Sequence, residues 1–145
     1  MKITQAILDD LTAKAKESPR LRMNLDLRDS DKDGSQRMLN AIEPGSPLPI
    51  HRHKKSSEVM VCLRGKLRVE FYDEFSRPSG NERPKVERER ICSDSFIIEP
   101  NGINVAVSIP IGVWHTVHAL EPGTCILEMK NGAYEPIADV DILQK

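Results

Sequence analysis

The chain has 145 residues, of which 39% are hydrophobic and 30% charged, and this composition is typical of one globular domain. Its formal net charge of −1 excludes the strong positive field that a protein binding nucleic acid or an anionic membrane needs. There is no run of 18 apolar residues, and Asp9 and Asp10 interrupt any signal-peptide core. We therefore expect a cytoplasmic protein with neither nucleic-acid nor membrane partners.

The first predicted element is a helix over residues 3–17. An apolar residue recurs at every fourth position and forms one stripe, at Ile3, Ile7, Leu11 and Ala15. Thr4 is a candidate N-cap, and Ser18 before Pro19 ends the helix because a residue that precedes proline avoids the α region. One helix cannot bury this stripe alone, so we expect it to pack on the rest of the domain or on a partner subunit.

The remainder of the chain predicts short β-strands. Residues 66–72 alternate polar and apolar side chains, and residues 105–109 and 124–129 are similar candidates. Turns rich in glycine and proline separate these strands, and the charged stretch 76–90 predicts a solvated hairpin or loop. Many short strands between such turns favour a sandwich or barrel, so the predicted fold class is mainly β with an N-terminal helix.

Two of the four histidines stand at positions i and i+2 of a predicted strand, His51 and His53, and therefore point to one face. Glu58 follows at the start of the next apolar run, and His115 could supply a third imidazole from far along the chain. A His-x-His pair alone is as compatible with a structural role as with a metal site. Together the four side chains predict a site for one divalent metal ion.

The spacing of this set resembles the first cupin motif, in Gly45, His51-x-His53, Glu58 and Gly65. Part of the second motif follows in Pro110-x-Gly112-x-x-His115. Asn104 and Ala119 stand where that motif usually has glycine and asparagine. The resemblance implies a single cupin barrel, also called a double-stranded β-helix or jelly roll. It places the N-terminal helix and connector at residues 1–24 and the barrel at 25–145, within one structural domain overall.

Within the cupins, the chain resembles the WbuC-family metalloproteins at residues 112–117, 119–124 and 130–134, and earlier at 18–20 and 36–39. The resemblance covers roughly residues 3–136. It implies a sugar or sugar nucleotide as the small-molecule ligand, in bacterial surface-polysaccharide (O-antigen) biosynthesis. Arg37 and Tyr134 lie in or beside these stretches and are candidate substrate contacts, with surface or packing roles as the alternative.

Three imidazoles and one carboxylate suit Fe, Mn, Ni or Co with open coordination positions, or Zn in a four-coordinate site. One hypothesis is a metal-dependent enzyme of isomerase or dioxygenase type, the latter a ferrous dioxygenase. Another is a non-catalytic cupin that binds a metabolite through the metal. A metal-free epimerase on the same fold has no use for the four ligands. Cupins often pair through strand edges, so we expect a homodimer.

Several other polar residues are assigned no ligand role. Strand alternation points His118 away from His115. Asp29, Asp31 and Asp33 imitate the opening of an EF-hand loop, but its twelfth position is an asparagine instead of the glutamate such a loop needs, so we expect a solvated acidic turn. The three cysteines form no C-x-x-C pair, and we expect buried, reduced thiols at Cys62, Cys92 and Cys125.

Overall fold

The computed structural model of the protein describes residues 1–77 and 87–143, and it describes side chains outside residues 75–89. Helix α1 spans Gln5–Glu17. The strands, in chain order, are β1 (Arg22–Asp26), β2 (Ser35–Ile42), β3 (Ile50–His51), β4 (Glu58–Arg64), β5 (Leu67–Arg77), β6 (Glu87–Ile98), β7 (Ala106–Ile109), β8 (Trp114–Ala119), β9 (Thr124–Asn131) and β10 (Ile142–Leu143). A single 3-10 turn, Asp139–Asp141, precedes β10.

The strands form two five-stranded sheets whose neighbours are antiparallel. The order of the first sheet is β1-β2-β9-β4-β7, and that of the second is β10-β3-β8-β5-β6. Strands distant in sequence lie side by side in both sheets, which is the connectivity of a jelly roll. The predicted class, mainly β with an N-terminal helix and a jelly-roll barrel, is confirmed.

The barrel core is apolar because alternate residues of both sheets point inward. Each sheet supplies five buried side chains to one cluster: Ile42, Met60, Cys62, Ile109 and Ile126 from the first, and Leu67, Val69, Ile98, Val117 and Ala119 from the second. The strand predicted at 66–72 lies in β5, and its Leu67 and Val69 are fully buried as the alternation requires.

Helix α1 covers the outer face of the first sheet. Leu8, Leu11 and Ala15 pack against Leu39 and Ala41 of β2. The predicted stripe is therefore slightly rotated, since Ile3 precedes the helix and is 44% exposed. The Thr4 side chain accepts a hydrogen bond from the Ile7 amide, and the helix ends before Ser18, as predicted. The helix packs on its own domain, which was one of the two arrangements we expected.

Strand β1 pairs with β2 along its whole length and continues across the predicted boundary between residues 24 and 25, so part of the expected connector belongs to the sheet. Residues 76–77 and 87–90 of the predicted loop lie in β5 and β6, where Arg77 opposes Glu87 as in a hairpin. The turn predicted at 78–81 lies outside the described residues. Within the described chain, no helix is long and apolar enough to cross a membrane.

The cysteines depart from their predicted burial at one position. Cys62 and Cys125 are buried free thiols, whereas Cys92 is exposed. The reason is that Cys92 lies on β6, an edge strand of the second sheet. Burial raises the pKa of the Cys62 thiol to about 11, so this thiol is protonated at neutral pH.

Gly65 is the position at which the turn between β4 and β5 requires glycine. Its φ is +79°, and an added Cβ would lie 2.4 Å from Thr124 Oγ1 and 2.7 Å from Thr124 Cα. We predict that Gly65→Ala lowers the free energy of unfolding by at least about 1–3 kcal/mol, the cost of a strained backbone alone. Denaturant unfolding would measure this, with Gly34→Ala as the control because a Cβ there meets nothing within 4 Å. Equal effects of both substitutions would contradict the prediction.

Candidate metal site

Three histidines and one glutamate converge inside one end of the barrel and form what we call the His/Glu cluster: His51, His53, Glu58 and His115. One possible ligand atom from each lies within 4.8 Å of every other. His51 of β3 stands directly opposite His115 of β8, and such cross-strand partners point to the same face. Glu58 reaches the cluster from β4 of the facing sheet. The structure thus brings together the four residues that the sequence predicts as metal ligands.

The cluster is compact and largely shielded from solvent. The ring centroids of His51 and His115 are 4.4 Å apart, and that of His53 lies 5.0 Å from His51 and 5.6 Å from His115. Glu58 Oε2 lies 3.1 Å from His53 Nε2 and 3.3 Å from His115 Nε2. Glu58 is only 3% exposed and His115 is fully buried. Such burial of a carboxylate is costly unless an opposite charge compensates it.

Two backbone carbonyls orient the rings. His51 Nδ1 lies 3.0 Å from the Pro49 oxygen, and His115 Nδ1 lies 2.9 Å from the Val113 oxygen. A carbonyl can only accept, so each Nδ1 carries the proton and donates it. The Nε2 atom of each ring is therefore the one left to face the cluster, and in the neutral ring it carries a lone pair. Metal-binding histidines are commonly fixed by this kind of contact.

Two atoms of the cluster show that it fits a cation. Glu58 Oε2 and His115 Nε2 are buried and have no hydrogen bond of good geometry with any residue that the structure describes. Native proteins rarely leave buried polar atoms in this condition without a reason, and an ion is one. Three imidazole nitrogens and one carboxylate oxygen form a donor set that first-row divalent metals accept.

The ionisation of the cluster agrees with this fit. Burial, and then the neighbouring His115, lower the pKa of His51 to about 4, so the ring is neutral at pH 7. Burial alone would raise the pKa of Glu58, but the close contacts with His115 and His53 outweigh it and hold that pKa below its usual range. A neutral imidazole and an ionised carboxylate are the forms that bind a metal.

Backbone and side-chain contacts hold the segment that carries His51 and His53. The Gly112 amide donates to the His53 carbonyl at 2.8 Å, which connects the two motif segments. Arg52, between the two histidines, donates from its own amide to the Asp141 carbonyl and binds the Asp141 carboxylate at 2.7 Å. Strand β10, directly after Asp141, pairs with β3. The C-terminal segment therefore fixes the position of the cluster.

Residues 131–141 also close one wall of an open groove of about 400 Å³ beside the cluster. His53 belongs to both the groove and the cluster. The other charged and amide side chains that line it are Gln36, Arg52, Lys54, Lys55, Lys130, Asn131, Glu135 and Asp141. Because His53 lines the groove, a small molecule bound there could reach the cluster.

The two predicted substrate contacts are placed elsewhere. Arg37 lies on the outer face of β2, where its guanidinium binds Asp33 at 2.9 Å and the Leu27 carbonyl at 3.3 Å. Tyr134 is 58% exposed, with the Arg28 guanidinium 5.9 Å from its ring centroid. Neither side chain lines the groove. Their role in substrate binding stays a prediction.

The residues that we set aside have other contacts. His118 Nε2 lies 3.3 Å from Glu70 Oε2 on the outer face of the second sheet, away from the cluster. In the acidic run, the Asp33 carboxylate accepts hydrogen bonds from the amides of Asp29 and Ser35, which lower its pKa. Asp31 is fully exposed, so the run is a solvated acidic turn, as predicted.

Sequence reasoning missed Glu128, which lies on the inward face of β9. Its partner across the sheet, Met60, is part of the barrel core, and its carboxyl group hydrogen-bonds Asn40. Burial, and then the negative charge of Glu58, raise the pKa of Glu128 to about 8. The sequence does contain a signal for this inward position. Glu128 follows the apolar Ile126 at i+2 on a predicted strand, so the two side chains must share one face.

Comparisons with known proteins agree with this geometry at the level of the fold. The structure resembles KdgF from Halomonas sp., at 14% identity and a TM-score of 0.51 over 81% of this chain and 84% of that one. It resembles an oxalate oxidase in complex with glycolate, at 16% identity and a TM-score of 0.57 over 86% of this chain. It also resembles the Cnp3 cupin domain of Schizosaccharomyces pombe, at 12% identity and a TM-score of 0.52 over 78% of this chain.

These likenesses define the class: the chain has a cupin fold. It belongs to the family described as "Domain of unknown function (DUF6016)", whose model matches residues 3–81. A search of curated proteins finds no match. The chain spans 58% of the oxalate oxidase and 65% of the Cnp3 domain, so it corresponds to only part of those proteins.

The raised pKa of Glu128 predicts that the stability of the protein depends on pH. In the metal-free protein, the folded carboxyl group keeps its proton up to about pH 8, whereas the unfolded one releases it near pH 4.5. This group therefore lowers stability progressively as the pH rises between those values. We predict that Glu128→Gln, which keeps an amide for Asn40, is more stabilising at pH 8.5 than at pH 5 in urea unfolding with chelator. The same change in unfolding free energy at both pH values would contradict this.

Proposed function

We propose that the protein is a cupin metalloprotein that binds one divalent metal ion through His51, His53, Glu58 and His115 and acts on a small polar molecule. The observation that carries the proposal is the pair of buried atoms, Glu58 Oε2 and His115 Nε2, that lack hydrogen-bond partners in the described chain. A cation between them would compensate the buried carboxylate and use both lone pairs.

Each residue of the cluster has a defined part in this proposal. His51 and His115 would present Nε2 because the carbonyls of Pro49 and Val113 hold their Nδ1 protons. His53 would face both the ion and the groove, and Glu58 would neutralise one of the two positive charges. When bound, the metal would supply a Lewis acid with room for a substrate oxygen.

The identity of the small molecule rests on resemblance. The resemblance to the WbuC-family metalloproteins supports a sugar or sugar nucleotide in bacterial surface-polysaccharide biosynthesis, in the cytoplasm. The open groove of about 400 Å³ is large enough for a monosaccharide. A shared fold does not imply a shared reaction. The proposal therefore includes an isomerase, a ferrous dioxygenase and a non-catalytic metabolite binder, each of which would use the same four ligands.

Metal content tests the ligand set directly. We expect about one equivalent of metal in the wild-type protein by inductively coupled plasma mass spectrometry and much less in His51→Ala, since three donors bind more weakly than four. His118→Ala is the matched control because its ring contacts Glu70 outside the barrel. Equal metal content in wild type and His51→Ala, with both folded by circular dichroism, would refute the ligand set.

Metal binding should also stabilise the fold. A metal present at 100 times its dissociation constant raises the free energy of unfolding by about 2.7 kcal/mol if it binds only the folded state. We predict a higher thermal midpoint for the wild-type protein after addition of Fe(II), Mn(II), Co(II), Ni(II) or Zn(II), and reversal by a chelator. Glu58→Gln keeps the shape of the site but removes its charge, and should lose most of this shift. A full shift in Glu58→Gln would argue that the metal binds elsewhere.

The homodimer is part of the proposal. Helix α1 packs on the chain's own first sheet, so pairing would use strand edges. The edge strands of the described chain are β1 and β7 in the first sheet and β10 and β6 in the second. Sedimentation equilibrium at micromolar concentration tests this, and a monomer there would remove the homodimer from the proposal.

A further inference from the structure

The groove beside the His/Glu cluster has more cationic than anionic side chains. Four are basic, Arg52, Lys54, Lys55 and Lys130, and two are acidic, Glu135 and Asp141. The chain as a whole has a net charge of −1, so the surplus is local. Positive charge concentrated in a concave site attracts anions.

Three of the four cations already have partners. Asp141 binds Arg52 at 2.7 Å and Lys54 at 3.1 Å, and Glu135 binds Lys55 at 2.8 Å. Lys130 differs, since no carboxylate oxygen among the described side chains lies within 4 Å of its ammonium group. Lys130 as a residue is partly buried.

The register of the first sheet places Lys130 beside the cluster. Lys130 of β9 stands directly opposite Glu58 of β4, which puts their Cα atoms about 5 Å apart and their side chains on one face. Lys130 also lines the groove, so its side chain extends from the cluster to the accessible space. The Lys130 ammonium interacts electrostatically with the carboxyl groups of Glu58 and Glu128 on this face but forms a close ion pair with neither.

We propose that the substrate or ligand of this site carries an anionic oxygen group, a carboxylate or a phosphate, and that Lys130 binds this group beside the metal. The inference rests on the proposed metal site and adds a substrate class and a specificity residue to it. A sugar acid and a sugar phosphate would both satisfy it, whereas a neutral sugar would offer the Lys130 ammonium no anionic oxygen. Lys54, at the exposed rim, would attract the anion without being essential.

Isothermal titration calorimetry with three probes tests this proposal: glucuronate, glucose 1-phosphate and glucose. The protein is used metal-loaded, at low and constant ionic strength, after its metal content has been measured. We expect at least one of the charged sugars to bind about tenfold or more tightly than glucose, since a hydrogen bond to a charged group contributes that much. The stronger of the two would identify the group as carboxylate or phosphate.

Substitution assigns the preference to Lys130. Lys130→Gln keeps a polar side chain of similar reach, and should reduce the preference for the charged sugar about tenfold while retaining metal. Lys66→Gln is the matched control, because Lys66 pairs with Glu99 and Glu121 and lines neither the groove nor the cluster. It should keep the preference unchanged.

The outcomes separate this proposal from the metal site. A metal-loaded protein that binds neither charged sugar more tightly than glucose would overturn the anion proposal and leave the metal site standing. So would a preference that survives in Lys130→Gln with its metal content unchanged. A wild-type protein that takes up no metal would instead refute the proposed function on which the inference rests.

Discussion

A buried carboxylate surrounded by three imidazoles is the constraint around which the barrel is organised. Glu58 and His115 lie inside an apolar sandwich where unpaired charge is expensive, and each has a polar atom with no hydrogen bond of good geometry in the described chain. A fold tolerates such a cluster only where surrounding contacts fix it and a ligand compensates it. The carbonyls of Pro49 and Val113 fix the rings, and a divalent ion is the compensation that the donor set suits.

Contacts outside the cluster hold its residues in position. Strand β3 has only two residues and could not hold His51 by itself, so β10 pairs with it and Asp141 binds Arg52. The same C-terminal segment forms the wall of the groove, so site stability and site access depend on one piece of chain. Helix α1 covers the opposite face of the first sheet and leaves the inner face free for polar residues of the site.

How much could be predicted depended on the range of the interactions. The helix, the alternation of β5 and the four residues of the cluster follow from local pattern and motif spacing, and the structure has them. Arg37 was singled out by position in a resembling stretch, yet strand alternation puts it on the outer face with Asp33. Glu128 and Lys130 were assigned no role because a charged residue in a strand is ordinarily expected on the solvent-facing side. In this barrel both residues lie on the inward side of β9.

The sequence by itself determined that the chain would fold into short strands with a helix at one end, and that His51, His53, Glu58 and His115 would share a site. Periodicity and spacing are local properties, and they are sufficient for the strands, the helix and the grouping of His51, His53 and Glu58. His115, far along the chain, was added through its resemblance to the second cupin motif. Only the tertiary structure decided which face of each strand became the interior, since this depends on how distant strands pair. It thereby placed Lys130 opposite Glu58 and raised the pKa of Glu128, because charge and burial at one residue are set by neighbours that lie far away along the chain.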